Sequence, residues 1–383
     1  MANRYLRQAK QAKNDEFYTQ YADIEKEMQA YLEYDPHVFH GKTILLPCDD
    51  PEWSNFTKYF AQNFETFGLK KLISTSYAVE SKKYNTPYQP TLFEINDPKF
   101  DEYRTNVKGK IFTLTSDKSG DGRIDLDDLE WDYLEGDGDF RSEEVTKLRD
   151  EADMVITNPP FSLFREFLAW LVDVRKQFLI IGNMNAITYK EVFPLIKKDK
   201  MWLGPSISSG DREFQVPETY PVTAAGWRID SEGNKFLRVK GVRWFTNLDH
   251  GRRHAPLPLM TWEDNVRHSK HNEVRGTGYL KYDNYDAIEV PFTDAIPGDY
   301  EGAMGVPISF LDKYSPEQFE ILGITDRDNN SGLKVKEYTR DEVPNPGDLN
   351  RRGVVMVDGK HVSTYARILI RKRRCIPETE GTI

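Results

Sequence analysis

Apolar residues along the chain fall into short unbroken runs that alternate with segments of helical spacing. Thr43–Leu46, Lys70–Tyr77, Lys110–Thr115, Asp153–Thr157 and Phe178–Asn183 read as strands. Where such runs show no polar alternation, they suit a sheet covered on both faces. Between them, Ile24, Met28, Tyr31 and Leu32 recur at helical spacing, predicting a helix with Thr19 at its N-cap. Further helices are predicted from Ser54, over 143–151, through Phe164, Phe167, Leu168 and Leu171, and over Tyr189–Ile196. Strand–helix alternation of this kind predicts an α/β fold with a mostly parallel sheet. Segments around Glu213–Val216 and Val242–Thr246 have no helix between them and predict an antiparallel pair closing the sheet edge. Beyond about residue 250 the texture shifts. Leu280–Val290 and the stretch through Met304–Pro307 read as loop-rich, and Ala366–Arg371 as a last strand. The expected division is 1–250 and 251–383.

Composition narrows the class. The 383 residues are 38% hydrophobic and 13% aromatic, as in a folded chain. No apolar run is long enough to span a bilayer, and the basic, polar segment 1–13 lacks a signal peptide's apolar stretch and reads as a mobile arm or a frayed helix. Two cysteines, Cys48 and Cys375, provide neither a disulfide framework nor a zinc spacing, so the default is a cytoplasmic enzyme. A net charge of −10 argues at first against a nucleic-acid partner. Its distribution reverses that reading. Residues 117–153 hold fifteen Asp/Glu against five Lys/Arg, and outside this segment the two signs balance. Residues 351–374 carry eight Lys/Arg against the single Asp358, a basic end available for phosphates.

Candidate chemistry centres on Asn158-Pro159-Pro160-Phe161. Each proline fixes its own φ and keeps the preceding residue out of the helical region, so the loop carbonyls are held in place. An Asn side-chain oxygen beside them, with an aromatic face adjacent, forms a receptor for a planar group carrying an amino donor, such as a nucleobase. A buried turn with an Asn cap explains the same four residues. Upstream, Pro47-Cys48-Asp49-Asp50 follows the first strand and precedes a helix, the arrangement of a nucleotide-type α/β site, although the glycine fingerprint is absent. In Gly136-Asp137-Gly138-Asp139-Phe140, an acid able to accept from an exocyclic amine stands beside a ring able to stack; a plain turn is the alternative. Asp117–Asp128 approaches a twelve-residue calcium loop but ends in Asp rather than Glu, and a Gly-rich hairpin turn is preferred. His250, His254, His268 and His271 lack an accompanying carboxylate pair and read as part of a solvated basic face.

The ordered set of motifs resembles the EcoRI-type DNA adenine-N6 methyltransferases over nearly the whole chain. It runs through DEFYTQYADIE (15–25), CDDP with SNF (48–51, 54–56), GLKKLI (68–73), GDGDFRS (136–142) and TNPPFSLF (157–164). FLIIGN (178–183), ITYKEVF (187–193), TNLDH (246–250), KYDNYD (281–286), MGVPISFL (304–311), PEQFE (316–320) and RILI (367–370) continue it. The resemblance implies a Rossmann-like class I fold, S-adenosylmethionine as cofactor and double-stranded DNA as partner. It assigns base holding to Asn158, Pro159, Pro160 and Phe161. Cofactor binding falls to Phe17, Tyr18, Thr19, Pro47, Asp49, Asp50, Asp139, Phe140 and Asn158. The basic half then supplies the expected DNA contacts: Arg252, Arg253, Arg267, Lys270, Arg371 and Arg373. The expected role is restriction–modification or phage or host DNA protection, by a monomer without a metal. The acidic turn at 117–132 departs from the family pattern, and the match is poorer at 206–243 and 251–280, so the target sequence is not inherited. An RNA or protein-glutamine N-methyltransferase is the alternative enzyme, and a calcium-regulated DNA binder the non-catalytic one.

Overall fold

A computed structural model describes residues 18–49, 54–78, 97–208, 210–216, 226–326, 329–330 and 332–374. The arm at 1–13, Phe17, Asp50 and most of the polar excursion predicted at 81–101 therefore lie outside the described residues. The chain divides into two compact units, Met1–Met184 with Leu203–His250, and Asn185–Trp202 with Gly251–Ile383.

The first unit is built on an eight-stranded sheet of order β4-β3-β2-β1-β5-β6-β11-β7. Its strands are β1 (Thr43–Leu46), β2 (Lys71–Ser76), β3 (Lys110–Leu114), β4 (Glu130–Tyr133), β5 (Met154–Thr157), β6 (Gln177–Asn183), β7 (Trp202–Leu203) and β11 (Val242–Thr246). The central four, β2-β1-β5-β6, pair in parallel. Every residue of β1 and β5 is buried, as their unbroken apolar runs require. The flanks are antiparallel: β3 pairs with β2, β4 with β3, and β11 with β6. The sheet is therefore mixed, not mostly parallel. Strand β3 is buried only at its two ends, and β4 alternates exposed with half-buried positions and has no buried residue, as at an antiparallel edge open to water.

The antiparallel pair expected at 213–216 and 242–246 does not form. The fully buried β11 inserts beside β6, whereas β8 (Asp211–Val216) joins a separate antiparallel sheet, β8-β10-β9, with β9 (Trp227–Ile229) and β10 (Lys235–Lys240). Helices α1 (Tyr21–Tyr34) and α2 (Asn55–Gln62) bury Ile24, Met28, Tyr31, Phe56, Tyr59 and Phe60 in one core with the sheet. Each such side chain contributes roughly 1.5–3 kcal/mol. Helix α3 (Glu143–Glu151) spans its predicted range and is capped by Ser142, which accepts from Val145 N at 3.2 Å. Helix α4 (Phe164–Val172) follows the Asn-Pro-Pro loop. It approaches β6 so closely that a Cβ on Gly182 would lie 2.4 Å from the Phe164 ring.

The second unit carries a four-stranded sheet of order β12-β13-β17-β14. Its strands are β12 (Ile288–Glu289), β13 (Met304–Pro307), β14 (Phe319–Ile324) and β17 (Arg367–Lys372), so two segments read as loop-rich contain strands. A two-stranded hairpin, β15 (Val354–Val357) with β16 (Lys360–Ser363), stands apart from it. The helix expected over Tyr189–Ile196 is shortened to Phe193–Lys197, with Pro194 in its first turn, and a separate 3-10 stretch at Met184–Thr188 precedes it. A proline belongs in the first turn of a helix and not within one. Among the described residues no helix is long and apolar enough to cross a membrane.

Candidate functional site

Strands β1 and β5 are parallel neighbours, and the chain leaves β1 toward β2 on one side while β5 lies on the other. Their carboxyl ends therefore meet at a topological switch point, where open α/β sheets hold ligands. A small cleft lies here, lined by Tyr18, Thr19, Cys48, Asp49, Ser54, Phe56 and Asn158.

Hydroxyl groups organise the loop after β1. Asp49, almost wholly buried, accepts from Ser54 Oγ at 2.7 Å and from Thr157 Oγ1 at 2.5 Å, one hydroxyl on each carboxylate oxygen. Thr157 Oγ1 also lies 2.7 Å from the Pro47 carbonyl, and Thr57 Oγ1 donates to the Asp49 carbonyl at 3.2 Å. Ser74 Oγ donates to the same carbonyl. Asp49 is thus the knot that ties the loop after β1 to the last residue of β5. Between Pro47 and Asp49, Cys48 is held at φ 69°, a left-handed conformation that costs a non-glycine residue about 1–3 kcal/mol. Its Sγ donates to Tyr77 Oη at 3.3 Å.

The segment before α1 forms another wall. Tyr18 makes a two-hydrogen-bond bridge with Gln215 of β8, at 3.0 and 3.1 Å, and Asn55 Nδ2 donates to the Thr19 carbonyl at 2.7 Å. The predicted N-cap role of Thr19 falls to Gln20, whose side chain caps nothing. The buried Thr19 hydroxyl has no hydrogen-bond partner among the described residues, although it lines the cleft. An orphaned buried hydroxyl on a cleft wall is a polar group suited to a polar ligand.

After Thr157, Asn158 lines the same cleft and both prolines are buried. Leu163 N donates to the Pro160 carbonyl at 2.9 Å, turning the chain into a 3-10 step at Phe161–Leu163. Half-buried Phe161 packs edge-on against Phe214 of β8, centroids 6.4 Å apart at 88°. The β8 strand thus supports Tyr18 through its backbone and Phe161 through a side chain.

The Gly-Asp loop has a different fate. Gly138, at φ 84°, presses on the end of β2, where a Cβ would fall 2.2 Å from the Ser76 carbonyl. Asp139 is forked by Arg141, Nη2 at 2.7 Å and Nε at 2.9 Å, and Arg141 also reaches Glu166 at 3.0 Å. The Asp139 hydrogen bond leads the causes that raise the Arg141 pKa above its ordinary value. The Phe140 ring is wholly buried between Phe167, at 4.9 Å, and Trp170, at 5.6 Å. The expectation of a stacking face there is corrected: the ring is core, and neither residue lines the cleft.

The acidic turn is a hairpin connection between β3 and β4. Asp117 accepts from Gly120 N at 2.6 Å and Gly122 N at 2.9 Å, while Asp128 accepts from Lys118, Ser119 and Asp125 N at 2.7, 2.7 and 2.9 Å. These carboxylates fold the turn onto itself. No group of three or more His, Cys, Asp or Glu among the described residues is arranged to hold a metal ion.

The candidate DNA contacts in the second unit are unequal. Arg253 is buried, its guanidinium 4.0 Å over the Trp202 ring and paired with Asp199, which corrects the expectation of a phosphate contact. Arg267 pairs with Glu263, and Lys270 with Asp294 at 2.6 Å. Arg373 donates to the Pro316 carbonyl at 2.6 Å. Arg252 is half-buried in the helix Gly251–His254, and Arg371 is exposed on β17. Sequence reading missed Cys48, Ser54 and Phe56 as cleft residues and Thr157 as the clamp on Asp49. A hydroxyl closing the apolar run of β5 was the available signal for Thr157.

Comparison with known proteins converges on one family. The family model described as adenine-specific methyltransferase EcoRI matches residues 5–373. The chain is 46% identical over 330 residues to the Type II methyltransferase M.EcoRI of Escherichia coli, covering 85% of this chain and 92% of that protein. It is 32% identical over 375 residues to M.MpnI of Mycoplasma pneumoniae, covering 97% and 98% of the two chains. With M.MgeORF184P of Mycoplasma genitalium it shares 33% over 376 residues, covering 97% and 99%. No solved structure matches. The chain thus belongs to the EcoRI family of adenine-specific DNA methyltransferases, Type II enzymes of restriction–modification systems that take their methyl group from S-adenosylmethionine.

Proposed function

We propose that the cleft between the ends of β1 and β5 is the methyl-transfer site, where the N6 amino group of an adenine flipped out of duplex DNA is methylated. The observation that carries this reading is the Asp49–Thr157 clamp, which joins the loop at 47–49 to the loop that starts at Asn158. On this reading the first unit is a Rossmann-like class I catalytic domain, cytoplasmic and monomeric, and the second is the target-recognition region. The cofactor fits the lining: Tyr18, Thr19 and the loop Pro47–Asp49 would hold it, the orphaned Thr19 hydroxyl serving as one anchor. Phe17 and Asp50 belong to the same proposal by position in sequence. Asp139 and the main chain of Phe140 remain proposed as a flank for its ring, with the Phe140 side chain as their foundation. When bound, S-adenosylmethionine supplies a methyl group on a positively charged sulfur.

The work of the chain is to prepare the amino nitrogen. Its lone pair is conjugated with the purine ring and is a poor nucleophile. Hydrogen bonds accepted by the Asn158 side-chain oxygen and the Pro159 carbonyl localise that pair. They also oppose the positive charge that grows on nitrogen, which is electrostatic stabilisation of the transition state. Pro159 and Pro160 keep the acceptors from rotating away. Phe161, braced by Phe214, offers a stacking face worth roughly 1–3 kcal/mol against the cost of extruding the base.

The test is to express the chain in a host free of adenine methylation and sequence the genomic DNA for N6-methyladenine. Wild type is expected to mark one short sequence throughout. Asn158→Ala is expected to bind S-adenosylmethionine normally and lose turnover by about a hundredfold or more, the scale of removing one transition-state acceptor. A near-normal rate in Asn158→Ala overturns the assignment. Methyl groups found on RNA or on glutamine side chains instead of DNA overturn the substrate.

A further inference from the structure

The β15–β16 hairpin exposes side chains whose composition does not suit a free surface. Its register pairs Val354 with Ser363, Val355 with Val362, Met356 with His361 and Val357 with Lys360. The turn is Asp358-Gly359, with φ 49° and 74°, the two positive φ values of a type I′ hairpin. The base is clamped. Asn284 accepts from Val354 N at 2.8 Å and donates to the Arg352 carbonyl at 2.8 Å, and Asp283 N donates to the Val354 carbonyl at 2.8 Å. Val354 and Val355 are buried, and Val355 packs with Tyr282 and Tyr285.

Beyond that base His361, opposite Met356, still meets the Tyr338 ring at 5.1 Å and lies 3.7 Å from Asp283, while the apolar positions around it are open. Met356, Val357 and Val362 are 41%, 40% and 43% exposed, on both faces, and Tyr365 just past it is 86% exposed. Exposed apolar side chains gathered in one place, rimmed by polar residues, mark an interaction surface. Charge identifies the partner. Of the eight Lys/Arg in 351–374, Arg351, Lys360 and Arg371 make no ion pair or side-chain hydrogen bond among the described residues. The only acid in the segment is Asp358, in the turn.

We propose that this hairpin enters the major groove of the DNA substrate, with Met356, Val357 and Val362 against base edges and Lys360, Arg351 and Arg371 on flanking phosphates. Size favours that groove. At ~3.3 Å per residue the outer part of the ribbon and its turn reach on the order of 10 Å, against a major groove about 8.5 Å deep that admits a two-stranded ribbon. Apolar side chains there read thymine methyl groups, and the cations fix register without reading sequence. The clamped base means that little ordering entropy is lost on docking.

This inference rests on the DNA-methylation reading, and its test separates the two. Wild type, Lys360→Ala, Tyr365→Ser and the triple change Met356→Ser/Val357→Ser/Val362→Ser are compared on the same plasmid DNA, with melting curves to check folding. The triple variant is expected to raise KM for DNA about tenfold and relax the methylated sequence, with the Kd for S-adenosylmethionine unchanged. Lys360→Ala is expected to lower the salt slope of DNA binding by about one without altering the sequence methylated. Should the triple variant fail to fold, Lys360→Ala and Tyr365→Ser decide, both sites being exposed. Wild-type KM, salt slope and methylated sequence in these variants overturn the ribbon alone. A wild type that leaves adenine in DNA unmethylated removes both proposals.

Discussion

Two loops of the first unit, 47–49 with 157–161 and 136–140, carry the same kinds of residue: a carboxylate beside an aromatic or a stiff turn, next to the end of a strand. Their partners set them apart. The Asp49 carboxylate accepts from two neutral hydroxyls, Ser54 and Thr157, and the knot they form leaves a cleft with an unanswered hydroxyl on its wall. Asp139 is satisfied by a guanidinium, and Phe140 fills the space under α4. A side chain suited to binding a ligand is equally suited to building the floor beneath one. Only the list of its partners says which it does.

The sharpest way to break this comparison is Phe140→Ala. A wholly buried ring removed from between Phe167 and Trp170 is expected to cost roughly 3–5 kcal/mol, read from urea unfolding, with S-adenosylmethionine affinity held within about twofold in the folded protein. Intact stability with collapsed affinity would return the ring to the ligand. Thr19→Val should do the reverse. Affinity for S-adenosylmethionine is expected to fall about tenfold by calorimetry, while the unfolding midpoint stays or rises slightly, because a buried hydroxyl without a partner is removed. An unchanged Kd would sever Thr19 from the cofactor. The smallest effect concerns the hairpin turn of the acidic loop. Backbone amides of Ser119, Asp125 and Lys118 hold Asp128 at about 2, below its ordinary value near 4. A depressed carboxylate stabilises the turn above the unfolded value and ceases to as pH falls through the folded one. The carboxyl signal of Asp128 and the amide shifts of Ser119 should therefore titrate near pH 2; a midpoint near 4 would show that these hydrogen bonds do not persist in solution.

The parallel centre of the sheet was legible because β1, β5 and β6 are buried on both faces, and a continuous apolar run has few other readings. Strand β4 was hidden, since Glu130-Trp131-Asp132-Tyr133 is half polar and sits at an edge inside an acidic tract. The fate of β8 was also hidden: nothing local in Asp211–Val216 tells which sheet it joins. The β15–β16 hairpin did carry a signal, Asp-Gly between β-branched residues, that the basic composition around it masked. In the site, the Asn-Pro-Pro loop could be read because prolines act on their own backbone. Asp49 and Asp139 could not be told apart, because their partners, Thr157 and Arg141, are known only once the chain is folded.

The division of the chain into its two units has a consequence for inheritance. The polypeptide passes between them after Met184, after Trp202 and again after His250. The short excursion at 185–202 is woven into the second unit by the Asp199–Arg253 pair, the Trp202 ring and Asn329, which donates to the Thr188 and Tyr189 carbonyls at 3.4 Å. A cut at 250 would therefore strip Ile187, Val192, Phe193 and Ile196 of the company that buries them. Recombination at a single crossover cannot transplant one unit onto another scaffold intact. Moving the second unit whole takes two exchanged segments, 185–202 and 251–383.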